Sequence, residues 1–238
     1  MELLAGARFL ENRFLRNKDL IDQSLLDKIT VIGLGGIGST VVTLLSIMGF
    51  DEITGWDDDI LEEHNLSSTT YPWTNVDTHK TEAAKIQALR YGGDDAGNGC
   101  RFNAKTERWN SSKPLGHKVI TCLDSMDTRM EVYECWRDMN YDSGFLIDLR
   151  MDALSFEMVT TTRKYDEFDK YWITDAEIEP APCTMKHTIF SSSIIGGLGV
   201  SQVFNCVANK PYYGYIWGGL MPLNLRKENL IKPITNGV

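Results

Sequence analysis

The sequence predicts a doubly wound α/β fold, a mostly parallel sheet with helices on both of its faces. Three observations predict it. Ile29-Thr30-Val31-Ile32 is a β-branched run that stops at Gly33, the pattern of a strand buried on both faces. The glycine loop Gly33-Leu34-Gly35-Gly36-Ile37-Gly38-Ser39 follows at once and opens a stretch of helical spacing from Ile37 to Met48. Strand-like and helix-like stretches then alternate along the chain, as parallel strands joined by crossover helices require.

Taken in order, residues 1–28 carry Phe9, Leu10, Phe14, Leu15, Leu20, Ile21, Leu25 and Leu26 at helical intervals and read as an amphipathic helical arm. After the first strand and helix, Gly49 is a helix stop, and Glu52–Trp56 reads as a second strand ending in Asp57-Asp58-Asp59. Residues 78–91 read as a helix, and Asp94 to Gly99 as a loop. Lys118–Leu123 reads as a strand that ends at Asp124, Thr128–Met139 as a helix, and Phe145–Leu149 as a strand. Ala153–Arg163 alternates as a sheet strand does, and Lys164–Pro182 is polar. Thr188–Val207 reads as a long apolar helix, and the aromatic tail from Tyr212 as a strand and a short arm.

Composition narrows the function classes. Lys+Arg number 24 against 33 Asp+Glu, a net charge of −9, which disfavours non-specific binding to nucleic acid or to an anionic membrane. No apolar run approaches the roughly 20 residues of a membrane helix. The opening Met1-Glu2-Leu3-Leu4 lacks signal-peptide character. Five cysteines with no C-x-x-C pair argue against a disulfide framework and against a four-cysteine zinc site. A cytoplasmic setting is the expectation.

The glycine loop points to phosphate binding. Glycines let the backbone approach a phosphate, and the helix N-terminus offers unpaired N–H groups and a favourable dipole. Asp57 lies 57 − 38 = 19 residues past the last glycine, at the end of the next strand, where a carboxylate accepts hydrogen bonds from a ribose. A tight strand–helix turn beside a solvated acidic cluster is the bland alternative. The pattern alone leaves NAD, FAD and ATP open.

The residues after Asp57 separate these. Asp57-Asp58-Asp59-Ile60-Leu61-Glu62-Glu63-His64-Asn65-Leu66 resembles the D-x-D-x-V-x-x-x-N-L segment of the ThiF/MoeB and ubiquitin-activating-enzyme superfamily, and the loop resembles that family's G-x-G-G-x-G-S. Arg13-Phe14-Leu15-Arg16-Asn17, Thr78-His79-Lys80-Thr81-Glu82-Ala83 and Cys122-Leu123-Asp124-Ser125-Met126-Asp127-Thr128-Arg129 resemble its R-Y-x-R-Q, G-x-K-A and D-N/S-x-x-x-R elements, in the family's order. The resemblance implies a ThiF-type, Rossmann-like fold in one adenylation domain over residues 1–238. Its parts are the arm 1–28, a nucleotide-binding half 29–150 and a substrate-binding or dimerisation half 151–238. It also implies adenylation by ATP and Mg²⁺ of the C-terminal glycine of a ubiquitin-like or sulfur-carrier protein, or of a peptide.

By resemblance, Gly33, Gly35, Gly36, Gly38, Ser39, Asp57, Asp59, Asn65 and Lys80 hold the nucleotide, with Asp57 on the ribose and Asn65 and Lys80 at the phosphates. Asp124 binds Mg²⁺, and Arg16 reaches the partner subunit's γ-phosphate across a homodimer. Arg129 shapes the site or pairs with Asp124 or Asp127. The sequence departs from the family where Asn65-Leu66-Ser67-Ser68-Thr69 replaces N-L-x-R-Q, so Ser68 stands where a phosphate-contacting arginine is expected. Arg90, Arg101 and Lys85 are candidates to compensate. Pro182-Cys183-Thr184-Met185-Lys186 resembles the C-T-x-K/R segment around a catalytic cysteine, so Cys183 is a candidate thioester nucleophile, with Lys186 and His187 able to lower its pKa. Two other classes compete: an NAD-dependent oxidoreductase, and a non-catalytic module that binds nucleotide or carrier.

Overall fold

The computed structural model describes residues 13–93, 99–177 and 188–232. Among them, eight strands are Lys28–Ile32 (β1), Glu52–Trp56 (β2), Arg101–Lys105 (β3), Lys118–Thr121 (β4), Phe145–Met151 (β5), Ser155–Thr162 (β6), Tyr212–Leu220 (β7) and Leu223–Ile231 (β8). They form one sheet in the order β3-β2-β1-β4-β5-β6-β7-β8. The first five strands of that order run parallel, and β6, β7 and β8 add on antiparallel.

Adjacent residues of a strand face opposite sides, and that alternation divides the core. Ile29, Val31, Ile53, Ile120 and Ile147 meet the helices Gly36–Met48 (α1), Lys80–Gly92 (α2) and Ile189–Val207 (α4). Ile32, Trp56, Val119 and Leu146 meet the helix Met126–Asp138 (α3) on the other face. Both sheet faces are therefore covered, as β-branched runs without polar alternation demand. Strand order reverses between β1 and β4, which leaves a crevice above their carboxyl ends.

Three expectations are corrected and one strand is added. Residues 14–27 are turns, extended chain and a short 3-10 helix at Gln23–Leu25, not a continuous helix. Only Ile21 and Leu26 of that segment are buried, while Leu15 and Leu20 are 52% and 64% exposed, so no apolar stripe holds a helix to the core. Residues 101–105 form the edge strand β3, unforeseen because only Phe102 turns inward. The tail is a hairpin of two nine-residue strands rather than a strand and an arm. Finally, α4 is 19 residues long with mean hydropathy 1.2, enough by length and composition to cross a membrane. Here it packs against α1, β5, β6 and β7, as the core helix of a two-faced sheet does.

Arg13 shows how the N-terminal segment contributes. Its guanidinium donates to the Ser46, Tyr91 and Gly92 carbonyls at 2.7–2.9 Å. These carbonyls lie in the last turns of α1 and α2, where intrahelical partners run out, and the Gly92 carbonyl also accepts from Cys100 N–H. One side chain thus ties together the two helices beneath the glycine loop.

Candidate active site

A cavity of about 980 Å³ opens at the carboxyl ends of β1 and β4. Gly33, Gly35, Gly36, Asp57, Asn65 and Lys80 line one side. Asp124, Arg129, Arg150, Glu157 and Trp217 line the other.

The loop glycines divide into two kinds. Gly33 has φ of +89°, and a Cβ there would lie 2.6 Å from the Cys122 carbonyl oxygen. A Cβ on Gly38 would lie 2.0 Å from the Gly33 carbonyl oxygen. The fold itself requires glycine at both. At Gly35 a Cβ would meet no atom within 4 Å, so no steric contact with the protein requires a bare backbone there, and the open space lies toward the cavity that Gly35 lines. Gly35 is also the N-cap of α1, and no side chain caps that helix. The first-turn N–H groups thus keep their capacity for an anion. Ser39 is fully buried, and its hydroxyl donates to the Gly36 carbonyl and accepts from Thr70 N–H. It braces the loop from behind rather than facing the cavity.

The N-terminus of α3 also borders the cavity, and here the protein supplies the cap. Asp175 accepts from Met126 N–H at 2.6 Å and from the Ser125 hydroxyl at 2.9 Å, and the Ser125 hydroxyl accepts from Thr128 N–H. Those donors hold Asp175 below the usual carboxylate range despite some desolvation. One helix start is closed by a carboxylate of the chain, and the other is open.

Asp57, just past β2, accepts from Leu34 N–H at 2.7 Å and from Asp59 N–H at 2.9 Å. Burial pushes its pKa up, against the opposing pull of Lys80 and these two donors. Lys80, the first residue of α2, donates to Asp59 at 2.6 Å. Asn65 accepts from Glu62 N–H through its side-chain oxygen, which leaves its NH₂ group for a ligand. Asp124 is exposed on the cavity wall and has no hydrogen bond or ion pair with another described residue. Arg16 is exposed and does not line the cavity of its own chain. Cys183, Lys186 and His187 lie outside the described residues.

Ser68 lines the cavity but is 7% exposed, and its carbonyl accepts from the Ser192 hydroxyl. The three cations expected to replace the arginine missing there do not line the cavity. Arg101 pairs with Glu52 and Lys85 faces Glu82, while Arg90 points to solvent beside Tyr91. The cavity's cations are instead Lys80, Arg108, Arg129 and Arg150.

Arg129 and Arg150 converge on Asp148. The Asp148 side chain is fully buried and accepts from Thr121, from Arg129 and, at 2.6 Å, from Arg150 Nε. Desolvation would raise its pKa, but the two guanidiniums outweigh that and hold it below the usual range. Arg129 therefore pairs with Asp148 and the Leu123 carbonyl, not with Asp124 or Asp127. Sequence reasoning missed Asp148 and Arg150. A signal existed, since two charges two residues apart in an apolar strand run must share one face.

Comparisons with known proteins agree with this geometry. The model of the ThiF family matches residues 15–217. A stretch of 57 residues is 42% identical to the adenylyltransferase and sulfurtransferase UBA4 of Yarrowia lipolytica, covering 24% of this chain and 14% of that protein's length. Among solved structures, PaaA has a TM-score of 0.71 at 18% identity, over 97% of this chain and 74% of that one. Escherichia coli MccB crystallised with MccA-N7isoASN has a TM-score of 0.72 at 17% identity, over 93% and 73%. MccB crystallised with ATP has a TM-score of 0.68 at 17% identity, over 93% and 72%. At these identities the structural likeness speaks for the fold. With a match that runs through the glycine loop and both helix starts and ends inside β7, the chain belongs to the ThiF family.

Proposed function

We propose that this protein activates a C-terminal carboxylate by adenylation. ATP occupies the side of the cavity at α1, and the acyl partner enters beside β5, β6 and β7. The observation that carries this is the uncapped start of α1 at Gly35, where a Cβ would meet no atom of the protein. Family membership narrows a phosphate site to adenylation. The name of the UBA4 relative states an adenylyltransferase, and MccB has been crystallised with ATP and with MccA.

A carboxylate is activated because its own oxygen is a poor leaving group. The carboxylate oxygen attacks the α-phosphorus of ATP, the bond to the β-phosphate oxygen breaks, and pyrophosphate leaves with that electron pair. The chain's part is to position two anions and to neutralise charge as it moves. The α1 N–H groups cradle the phosphates, and Lys80 stands at the same mouth as a point charge. Asp57 holds the ribose while keeping Leu34 in place.

Asp124 fits Mg²⁺, since a hard cation takes carboxylate oxygens together with phosphate oxygens and Asp124 has no described partner. The bound ion supplies neutralisation of the phosphate charge. The carboxylates of Asp57, Asp58 and Asp59 come within 4.8 Å of one another. They fit less well, because Asp57 already accepts two backbone N–H groups and Asp59 pairs with Lys80. Arg16, exposed and away from its own cavity, fits a role in a partner subunit's site within a cytoplasmic homodimer. Cys183 is assigned a later thioester step.

The test is ATP–pyrophosphate exchange with Mg²⁺ and a panel of glycine-ended carrier proteins and peptides, comparing wild type with Asp124→Ala and Cys183→Ala. Adenylation predicts substrate-dependent exchange that Asp124→Ala abolishes and Cys183→Ala preserves. ATP binding without exchange across the panel would favour the non-catalytic module.

A further inference from the structure

We propose that Arg150 is an oxyanion receptor of this cavity, the guanidinium that meets a charged oxygen of a bound substrate. The proposal deepens the adenylation reading and rests on it. Lys80 is already paired with Asp59, and Arg108 is exposed to solvent. Arg129 and Arg150 share the single buried carboxylate of Asp148. Each also keeps one buried nitrogen without a partner, Nε on Arg129 and Nη2 on Arg150. A dry, unmatched donor of this kind is rare in native proteins and calls for a ligand or a cost.

The two arginines differ in reach. Arg129 is 4% exposed and is held on both Nη atoms by Asp148 and the Leu123 carbonyl. Arg150 is 11% exposed, and three of its sides are taken. Asp148 holds Nε, while the Tyr171 carbonyl and, at 3.4 Å, Glu157 hold Nη1. The Phe168 ring lies 5.9 Å from the guanidinium carbon. Nη2 is left; it is buried, on a residue of the cavity wall, so a substrate oxygen reaches it by displacing the atoms that cover it. Asp148 fixes the fork in place beforehand, so an incoming oxygen need not order a flexible side chain.

The chemistry recognised is a charged oxygen, from either the nucleotide's phosphates or the acyl partner's carboxylate. Titrations of the full chain with Mg²⁺ distinguish them, comparing wild type, Arg150→Met and Arg150→Lys. The probes are adenosine, the ATP analogue AMPCPP, whose α–β methylene bridge blocks adenylation, and, with AMPCPP bound, N-acetylglycylglycine against its C-terminal amide. Adenosine carries no anion and reports whether the fold and base site survive; Arg150→Lys keeps a charge beside Asp148 should Arg150→Met not fold. The expected result is unchanged adenosine affinity with a loss of about tenfold or more for one anionic probe in Arg150→Met, and a smaller loss in Arg150→Lys. A loss confined to AMPCPP assigns the donor to phosphate. A loss confined to N-acetylglycylglycine, and absent for the amide, assigns it to carboxylate. Unchanged affinity for both anionic probes in both variants would overturn the proposal and leave ATP binding intact. Wild type that binds neither adenosine nor AMPCPP would overturn it together with the reading beneath it.

Discussion

Asp57 and Asp148 are carboxylates at the same edge of the sheet, and their surroundings push them in opposite directions. Asp57 is raised by burial that one lysine and two N–H groups do not offset. Asp148 is lowered because two guanidiniums more than offset its burial. The difference extends to the neighbouring helix starts. Beside Asp57, α1 is uncapped, and beside Asp148, α3 is capped by Asp175. One side of the cavity keeps donors open and tolerates an uncomfortable carboxylate, as ligand sites do. The other is closed by the protein's own charges, save for one nitrogen of each arginine.

The largest effect should come from the loop that serves both the fold and the site. Gly38→Ala forces a Cβ to 2.0 Å from a carbonyl oxygen and should lose more than about 4 kcal/mol or fail to fold. Gly35→Ala should change stability by less than about 1 kcal/mol yet weaken ATP binding. Urea unfolding and ATP titration of both variants check this. Equal destabilisation would erase the distinction between a glycine the fold requires and one a ligand requires.

Asp148→Asn removes the charge from between two buried arginines and should lose about 3–5 kcal/mol. Asp57→Asn should lose much less and mainly impair nucleotide binding. The pH dependence sharpens the contrast. The lowered Asp148 contributes stability that is present above an unfolded value of about 3.9 and is lost as pH falls through its folded value. The raised Asp57 has the opposite sign: its contribution is full below about 3.9 and is lost as pH rises through its folded value. Relative to wild type, Asp148→Asn should therefore look worst at neutral pH and recover in acid. Asp57→Asn should look best at neutral pH. Unfolding curves from pH 3 to 7 would show parallel trends if the two sites were alike.

The smallest expected effect is at the closed helix start. Asp175→Ala should cost about 1 kcal/mol, the usual value of an N-cap, with ATP affinity unchanged. A large loss of ATP affinity would mean that α3 also faces the nucleotide.

What the sequence made legible follows the range of the interactions. The run Ile29–Ile32, the glycine loop and α1 were readable because period and turn chemistry are local. Asp57, Asn65 and Lys80, which line the cavity, were named from the order of motifs that resemble the family's. The Asp148 cluster was not, because Arg129 sits 19 residues away and Arg150 meets Tyr171 at a separation of 21, distances along the chain that only folding closes. The N-terminal arm misled for the opposite reason. Its leucines have helical spacing, but Leu15 and Leu20 have no core to face. The expected replacements for the arginine missing at Ser68 were Lys85, Arg90 and Arg101, downstream of it in sequence, whereas the cavity takes its cations from α2, the 106–117 loop, α3 and β5.

ATP binding at the open start of α1 is measured by equilibrium titration of wild type and Gly35→Ala with ATP·Mg²⁺, and separately with NADH. Saturable ATP binding that Gly35→Ala weakens without changing the unfolding midpoint, with no saturable binding of NADH, is the predicted result. No ATP binding, or NADH binding in its place, would contradict it.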